Sequence, residues 1–182
     1  MALGKGIGNA AVYFNINKKS VLFKNNLPNY GVFDEKRIFN KGSNYSSIKL
    51  KKLKIGLMIC EDMWYPDVAE TLQESGAQIL IVINGSPFDQ NKEDERLSVA
   101  VSRVIETNLP LIYVNQIGGQ DELVFDGGSF ALDATSKLCL QSSSWKNEIN
   151  TIEIICNNNS LIDITPSIIN KISIGLESKY NA

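Results

Sequence analysis

Cys60, Lys24 and a scatter of carboxylates are the groups in this 182-residue chain with types suited to covalent chemistry, because histidine is absent altogether. Cys60 closes the apolar run Lys54-Ile-Gly-Leu-Met-Ile-Cys60 and opens the acidic turn Glu61-Asp62-Met63-Trp64-Tyr65-Pro66. That position predicts a thiol at the junction of a buried strand and a helix start, where aligned peptide dipoles favour negative charge and are expected to lower the thiol pKa. The same position also fits a thiol packed as a small hydrophobe. Cys-His and Ser-His mechanisms are excluded within the chain, so an activated Cys60 needs a carboxylate or a lysine as proton partner. Cys139 and Cys156 carry no motif. Three cysteines at wide spacing fit neither a disulfide framework nor a zinc site, and no metal site is predicted.

The elements that must position such a thiol are legible in the apolar periodicity. The runs Lys54 to Cys60, Ala77 to Asn84 and Leu111 to Asn115 read as strands separated by two helical patterns, giving β-α-β-α-β. In the first helix Pro66 suits the opening turn, Val68, Ala69 and Leu72 form the apolar face, and Gly76 is the stop. In the second, Leu97, Val101, Val104 and Ile105 recur at helical spacing after the charged turn Lys92 to Arg96, and Asn108-Leu109-Pro110 ends the helix. The unbroken Ile79-Leu-Ile-Val-Ile83 predicts a parallel strand covered on both faces. Reactive groups in such sheets gather beyond the carboxyl ends of the strands, so Cys60, Asn84 to Ser86 and Asn115 to Gln116 are expected on one rim.

Upstream, Ala10 to Asn15 and Ser20 to Lys24 read as a hairpin turning at Asn17-Lys18-Lys19, followed by the loop Leu27-Pro28-Asn29-Tyr30-Gly31. Downstream, Leu123 to Asp133 reads as a strand with a Gly-Gly interruption, then a turn at Ala134 to Lys137 and another strand. Thr151 to Cys156 is a further strand, with a polar loop at Asn157 to Ser160 and a weakly amphipathic segment from Ile168 to Ala182. At 43% hydrophobic and 21% charged residues the chain is sized for one substantial core with a tail. A net charge of −2 gives no basis for nucleic-acid binding. No apolar stretch spans a bilayer and no secretory signal is evident, so no membrane partner and a cytoplasmic location are the default expectations.

Three blocks carry a resemblance: Lys24-Asn-Asn-Leu27-Pro28-Asn29-Tyr30-Gly-Val-Phe33-Asp-Glu35, then Ile59-Cys60-Glu61-Asp62-Met-Trp64, then Asn84-Gly85-Ser86-Pro87-Phe88. With Phe125-Asp-Gly-Gly-Ser-Phe130 and the terminal Leu176 to Ala182, this ordered set resembles the nitrilase-like carbon–nitrogen hydrolases. Within them it is similar to the glutamine amidotransferase domain of bacterial glutamine-dependent NAD synthetases. The resemblance implies an α/β fold, the four-layer α-β-β-α sandwich of the nitrilase superfamily, and a Glu-Lys-Cys triad. Lys24 matches the triad lysine, Cys60 the nucleophile and Glu35 a second glutamate that positions the lysine. Tyr30, Phe33, Glu61, Ser86 and Lys92 match glutamine-pocket positions, with Lys92 toward the substrate carboxylate and Ser86 toward its polar end. The backbone N–H of Glu61 is a candidate donor to the amide oxygen.

The triad's general-base glutamate has no counterpart among these residues, so the sandwich is expected to be truncated at its N-terminus and the isolated fragment inactive. Residues 1–160 are read as the incomplete hydrolase domain and 161–182 as a connection toward an absent synthetase domain. The implied function is hydrolysis of glutamine through a Cys thioester, supplying ammonia for ATP-dependent conversion of deamido-NAD to NAD in the longer enzyme. No cofactor is expected in this domain, ATP and magnesium belonging to the synthetase domain. L-Glutamine, that domain and a second copy of the chain are the expected partners. A stand-alone amidase or nitrilase of the same superfamily and a non-catalytic fragment are the alternatives. Each site residue also has a plainer reading: Lys24 as a solvated strand end, Glu35 as a loop carboxylate, Lys92 as a helix-surface charge, Ser86 as a turn cap, Tyr30 and Phe33 as loop anchors, Glu61 as a complement to the helix dipole.

Overall fold

The apolar runs form strands, and the register of those strands decides which side chains share a face. The computed structural model describes residues 2–3, 6–16, 18–43, 45–156, 162–165 and 172–173. The strands are β1 (Ala2–Leu3), β2 (Gly6–Ile7), β3 (Ala10–Asn15), β4 (Lys18–Phe23), β5 (Ile48–Leu50), β6 (Leu53–Ile59), β7 (Ile79–Asn84), β8 (Leu111–Asn115), β9 (Ile117–Gln120), β10 (Leu123–Asp126), β11 (Phe130–Leu132), β12 (Leu138–Gln141), β13 (Thr151–Cys156), β14 (Ile162–Thr165) and β15 (Ile172–Ser173). The helices are α1 (Glu35–Ile38), α2 (Pro66–Glu74) and α3 (Lys92–Thr107), with a 3-10 turn at Cys60–Met63. Among the described residues no helix is long and apolar enough to cross a membrane, which says nothing of β-barrels.

The central sheet has the order β12-β11-β8-β7-β6-β5, in which β6, β7 and β8 are parallel and the outer strands antiparallel. This is the expected β-α-β-α-β unit. The register aligns Met58, Val82 and Tyr113 on one face, where they pack with Val68, Ala69 and Leu72 of α2 and Ala100 and Val104 of α3. Pro66 opens α2, and Gly76, at φ 86°, follows its end. Asn108 closes α3 in the left-handed conformation at φ 55°. Burial of this helix-facing layer is the main apolar stabilisation, at about 1.5–3 kcal/mol for each fully buried large side chain.

The opposite face departs from expectation. Ile81 and Ile83 of β7, with Leu57, Ile59 and Val114 beside them, are only half-buried, so the strand is fully covered on one side alone. Among the described residues β13 covers part of this face, through Ile152 and Ile154 against Ile79, Ile112 and Ala131. In α3 the buried face carries Arg96, Ala100, Arg103, Val104 and Thr107, while Ile105 is exposed. Apolar periodicity misses this face because two of its residues are arginines.

The β3–β4 hairpin pairs Asn15 with Lys18, so the strand resumes earlier than read, and Asn17 of the turn lies outside the described residues. Leu123 to Asp133 is two strands: β10 pairs with β9, whereas β11 joins β8 and β12. Gly127 and Gly128, at φ 72° and 63°, make the turn between the two sheets, a conformation that glycine adopts without a Cβ clash. The loop at Asn157 to Ser160 lies outside the described residues, as does the segment from 168 to 182 apart from β15.

Candidate active site

β6 delivers Cys60 to the rim as the first residue of the 3-10 turn, with φ at 47°. A non-glycine residue in the left-handed region costs roughly 1–3 kcal/mol and persists only where the surroundings over-determine it. The consequence is a sharp turn that presents the thiol to a cavity of about 730 Å³, which Lys24, Glu35 and Phe33 also line. Asn84 and Gly85 from the end of β7, and Asn115 and Gln116 from the end of β8, line the same cavity. The three strand ends therefore share one rim, as parallel pairing requires.

Lys24, immediately after β4, is almost fully buried, which removes the solvated reading. Its Nζ donates to Glu35 Oε1 at 2.8 Å, and its backbone is held by the bonds Lys24 N–H to Asn9 O at 2.8 Å and Gly42 N–H to Lys24 O at 2.9 Å. Glu35 opens α1, and its second carboxylate oxygen, Oε2, is buried without a hydrogen-bond partner among the described residues. An ammonium held this way is a fixed positive charge withdrawn from bulk water, where it interacts more strongly than at the surface.

The expected lowering of the Cys60 pKa is corrected by the structure. Burial pushes the thiol up; the Lys24 ammonium pulls it down, the carboxylates of Glu61 and Glu35 push it up again, and a hydrogen bond from the Glu61 backbone N–H pulls it down. The four-residue turn supplies little dipole, and removing the thiolate from water outweighs it. Lys24 is thus the largest influence favouring the thiolate.

Asp62, fully buried, accepts hydrogen bonds from the backbone N–H groups of Asn25, Asn26 and Ile59 and from the Tyr45 hydroxyl. Burial pushes its carboxyl above the usual carboxylate range against the pull of those N–H bonds. Sequence reading passed over it; its signal was a third polar residue in Cys-Glu-Asp at a strand end.

The remaining candidates divide. Tyr30 donates to the Glu61 carboxylate at 2.8 and 3.0 Å, and the two line a second cleft of about 570 Å³. Burial and then Glu61 push the Tyr30 phenol up, so it stays a donor. Phe33 meets the Tyr30 ring edge-on at 6.0 Å. Ser86 lines neither cavity: its Oγ accepts from Arg96 Nε at 3.1 Å, its N–H donates to Asn115 Oδ1 at 2.9 Å, and its carbonyl accepts from Arg96 Nη2 at 3.0 Å. Arg96 is itself buried and forks onto both oxygens of Asp126 at 2.9 Å. Lys92 lines neither cavity, standing 4.1 Å over the Trp64 ring and pairing with Glu95 at 3.0 Å.

Comparison with known proteins matches residues 7–158 to the carbon-nitrogen hydrolase family. The chain is 40% identical over 131 residues to the glutamine-dependent NAD(+) synthetase of Rhodobacter capsulatus, covering 72% of this chain and 24% of that protein. The solved glutamine-dependent NAD+ synthetase of Acinetobacter baumannii superposes with a TM-score of 0.73 at 37% identity, over 78% of this chain and 27% of that one. A carbon-nitrogen hydrolase from Helicobacter pylori G27 superposes with a TM-score of 0.68 at 29% identity, over 77% of this chain and 54% of that one. The chain thus spans about a quarter of the length of the curated relatives it matches. The α/β architecture is that of the nitrilase superfamily.

Proposed function

Because the chain belongs to the carbon–nitrogen hydrolase family, we propose that it hydrolyses the side-chain amide of glutamine, with Cys60 as nucleophile, as the glutaminase part of a glutamine-dependent NAD synthetase. The observation that carries the reading is the shared cavity: the Cys60 thiol on its left-handed turn and the buried Lys24 ammonium line the same space. In the reaction a carboxylate base takes the Cys60 proton, the sulfur bonds to the amide carbon and the carbon–oxygen double bond opens to an oxyanion. Lys24 and the Glu61 N–H are the donors proposed to stabilise it. The carbon–nitrogen bond then breaks as the nitrogen takes up a proton, releasing ammonia and leaving a thioester. Water adds to the thioester, the sulfur leaves and recovers a proton, and glutamate departs.

Glu35 orients Lys24 in this scheme. Of the proposed pocket positions, Phe33 lines the Cys60 cavity, whereas Tyr30 and Glu61 line the second cleft and Lys92 lines neither. Ser86 acts from the loop that Arg96 holds. The ammonia feeds ATP- and magnesium-dependent conversion of deamido-NAD to NAD in a synthetase domain of the same parent chain, in the cytoplasm and in an oligomeric assembly. The triad glutamate that would take the water's proton has no match among these residues, so the 182 residues alone turn over glutamine negligibly, and sustained turnover would overturn that part.

The test is covalent. A glutamine analogue with an electrophilic carbon in place of the amide, such as 6-diazo-5-oxonorleucine, is expected to leave one adduct on Cys60 at alkaline pH, read by peptide mass spectrometry and absent in Cys60→Ala. Fluoroacetamide serves as the simple-amide comparison. Equal labelling by both reagents would favour a stand-alone amidase, and no labelling by either would remove the hydrolase reading.

A further inference from the structure

We infer that Asp62 is a positioning residue that ties the lysine loop to the nucleophile turn, setting the place of the Lys24 ammonium relative to the Cys60 thiol. The inference deepens the proposed hydrolase and rests on Cys60 and Lys24 acting together. One oxygen, Oδ1, accepts from Asn25 N–H at 3.0 Å and Asn26 N–H at 2.8 Å, the two residues that follow Lys24. The other, Oδ2, accepts from Ile59 N–H at 3.1 Å, the residue that precedes Cys60. A single carboxylate therefore reaches 36 and 37 positions back in the chain to the lysine loop and three positions back to the end of β6, and grips each next to its reactive residue.

The energetics favour a purpose beyond stability. An ionised carboxylate taken fully out of water loses several kcal/mol of solvation even after relaxation. It is retained where it satisfies donors that nothing else can reach, and three backbone N–H groups plus the Tyr45 hydroxyl converge on Asp62. Asparagine offers one acceptor oxygen, and its amide nitrogen would confront either Ile59 N–H or the Asn25–Asn26 pair. One half of the tie must then open. Cys60 depends on that tie twice: the Asp62 to Ile59 bond braces its left-handed backbone, and the bonds to Asn25 and Asn26 hold the ammonium that most favours its thiolate.

The experiment measures the rate of Cys60 alkylation by iodoacetamide against pH, with Cys60→Ala correcting for other cysteines. If Asp62 positions Lys24, Asp62→Asn raises the thiol pKa toward that of Lys24→Met by about one unit, slowing alkylation near neutral pH about tenfold. The double variant then behaves as Lys24→Met alone. Loss of the Asp62 charge without movement of Lys24 would instead lower the thiol pKa, and a role in stability alone would leave it unchanged; either result in a folded protein overturns the inference, as does additivity of the two substitutions. Should Asp62→Asn fail to fold by circular dichroism, Asp62→Glu keeps the charge and displaces the oxygens by one methylene. A raised thiol pKa in that variant supports the tie, and an unchanged one overturns it. Alkylation does not require glutamine to be a substrate, so failure here is separable from failure of the hydrolase reading.

Discussion

At residue 60 burial and a neighbouring ammonium act on the thiol in opposite directions. Burial disfavours the thiolate and prevails, and Lys24 is the strongest opposing influence. Lys24→Met is expected to raise the Cys60 pKa by about one to two units and to slow iodoacetamide alkylation at neutral pH correspondingly. The Glu35 carboxylate acts in the other sense. Glu35→Gln removes a negative charge that pushes the thiol up, so its direct effect lowers the pKa and moves the alkylation profile to lower pH. A shift upward in Glu35→Gln would mean that Lys24 had left its place once the 2.8 Å pair was broken. Of the residues singled out beforehand, Lys24 and Cys60 were legible from their blocks. The burial of Lys24 was not, because a lysine after a strand reads locally as a solvated charge.

At the level of elements, α3 is joined to the end of β7 by a buried arginine rather than by apolar packing alone. Arg96 holds the carbonyls of Ser86 and Pro87 and both oxygens of Asp126. Arg96→Ala leaves a buried carboxylate uncompensated and is expected to destabilise by about 3–5 kcal/mol, measured by denaturant titration. In the double variant with Asp126→Ala the loss should be smaller than the sum, as a double-mutant cycle reads for groups in direct contact. In the core, Leu72→Ala in α2 should destabilise by about 2–5 kcal/mol, since the fully buried leucine has no solvent-side space to relax into. The helices themselves were readable from Pro66, Gly76 and Asn108. The face that α3 buries was not, since its stripe alternates arginine with small and apolar residues and weakens the periodic signal.

Across the whole molecule the central sheet is asymmetric. Its helix-facing side is closed, while Leu57, Ile59, Ile81, Ile83 and Val114 on the other side are half-buried. Apolar surface of this kind favours association. The chain is expected to bind the hydrophobic dye ANS and to sediment with a concentration-dependent mass. Ile81→Ser, which makes that face more polar outside the Cys60 cavity, should reduce both readouts.

What the amino-acid order determined by itself was local and periodic: three parallel strands, two intervening helices, the turn at each strand end, and a chemistry without imidazole. Those follow from side-chain period, from glycine and proline punctuation, and from which groups are present. What only the tertiary structure decided was the electrostatic state of the site. The thiol's raised pKa, the buried lysine, and the carboxylate of Asp62 shared between the Asn25–Asn26 loop and the end of β6 all depend on groups brought together from distant positions. Desolvation and charge coupling are properties of that enclosed space, and no stretch of sequence carries them alone.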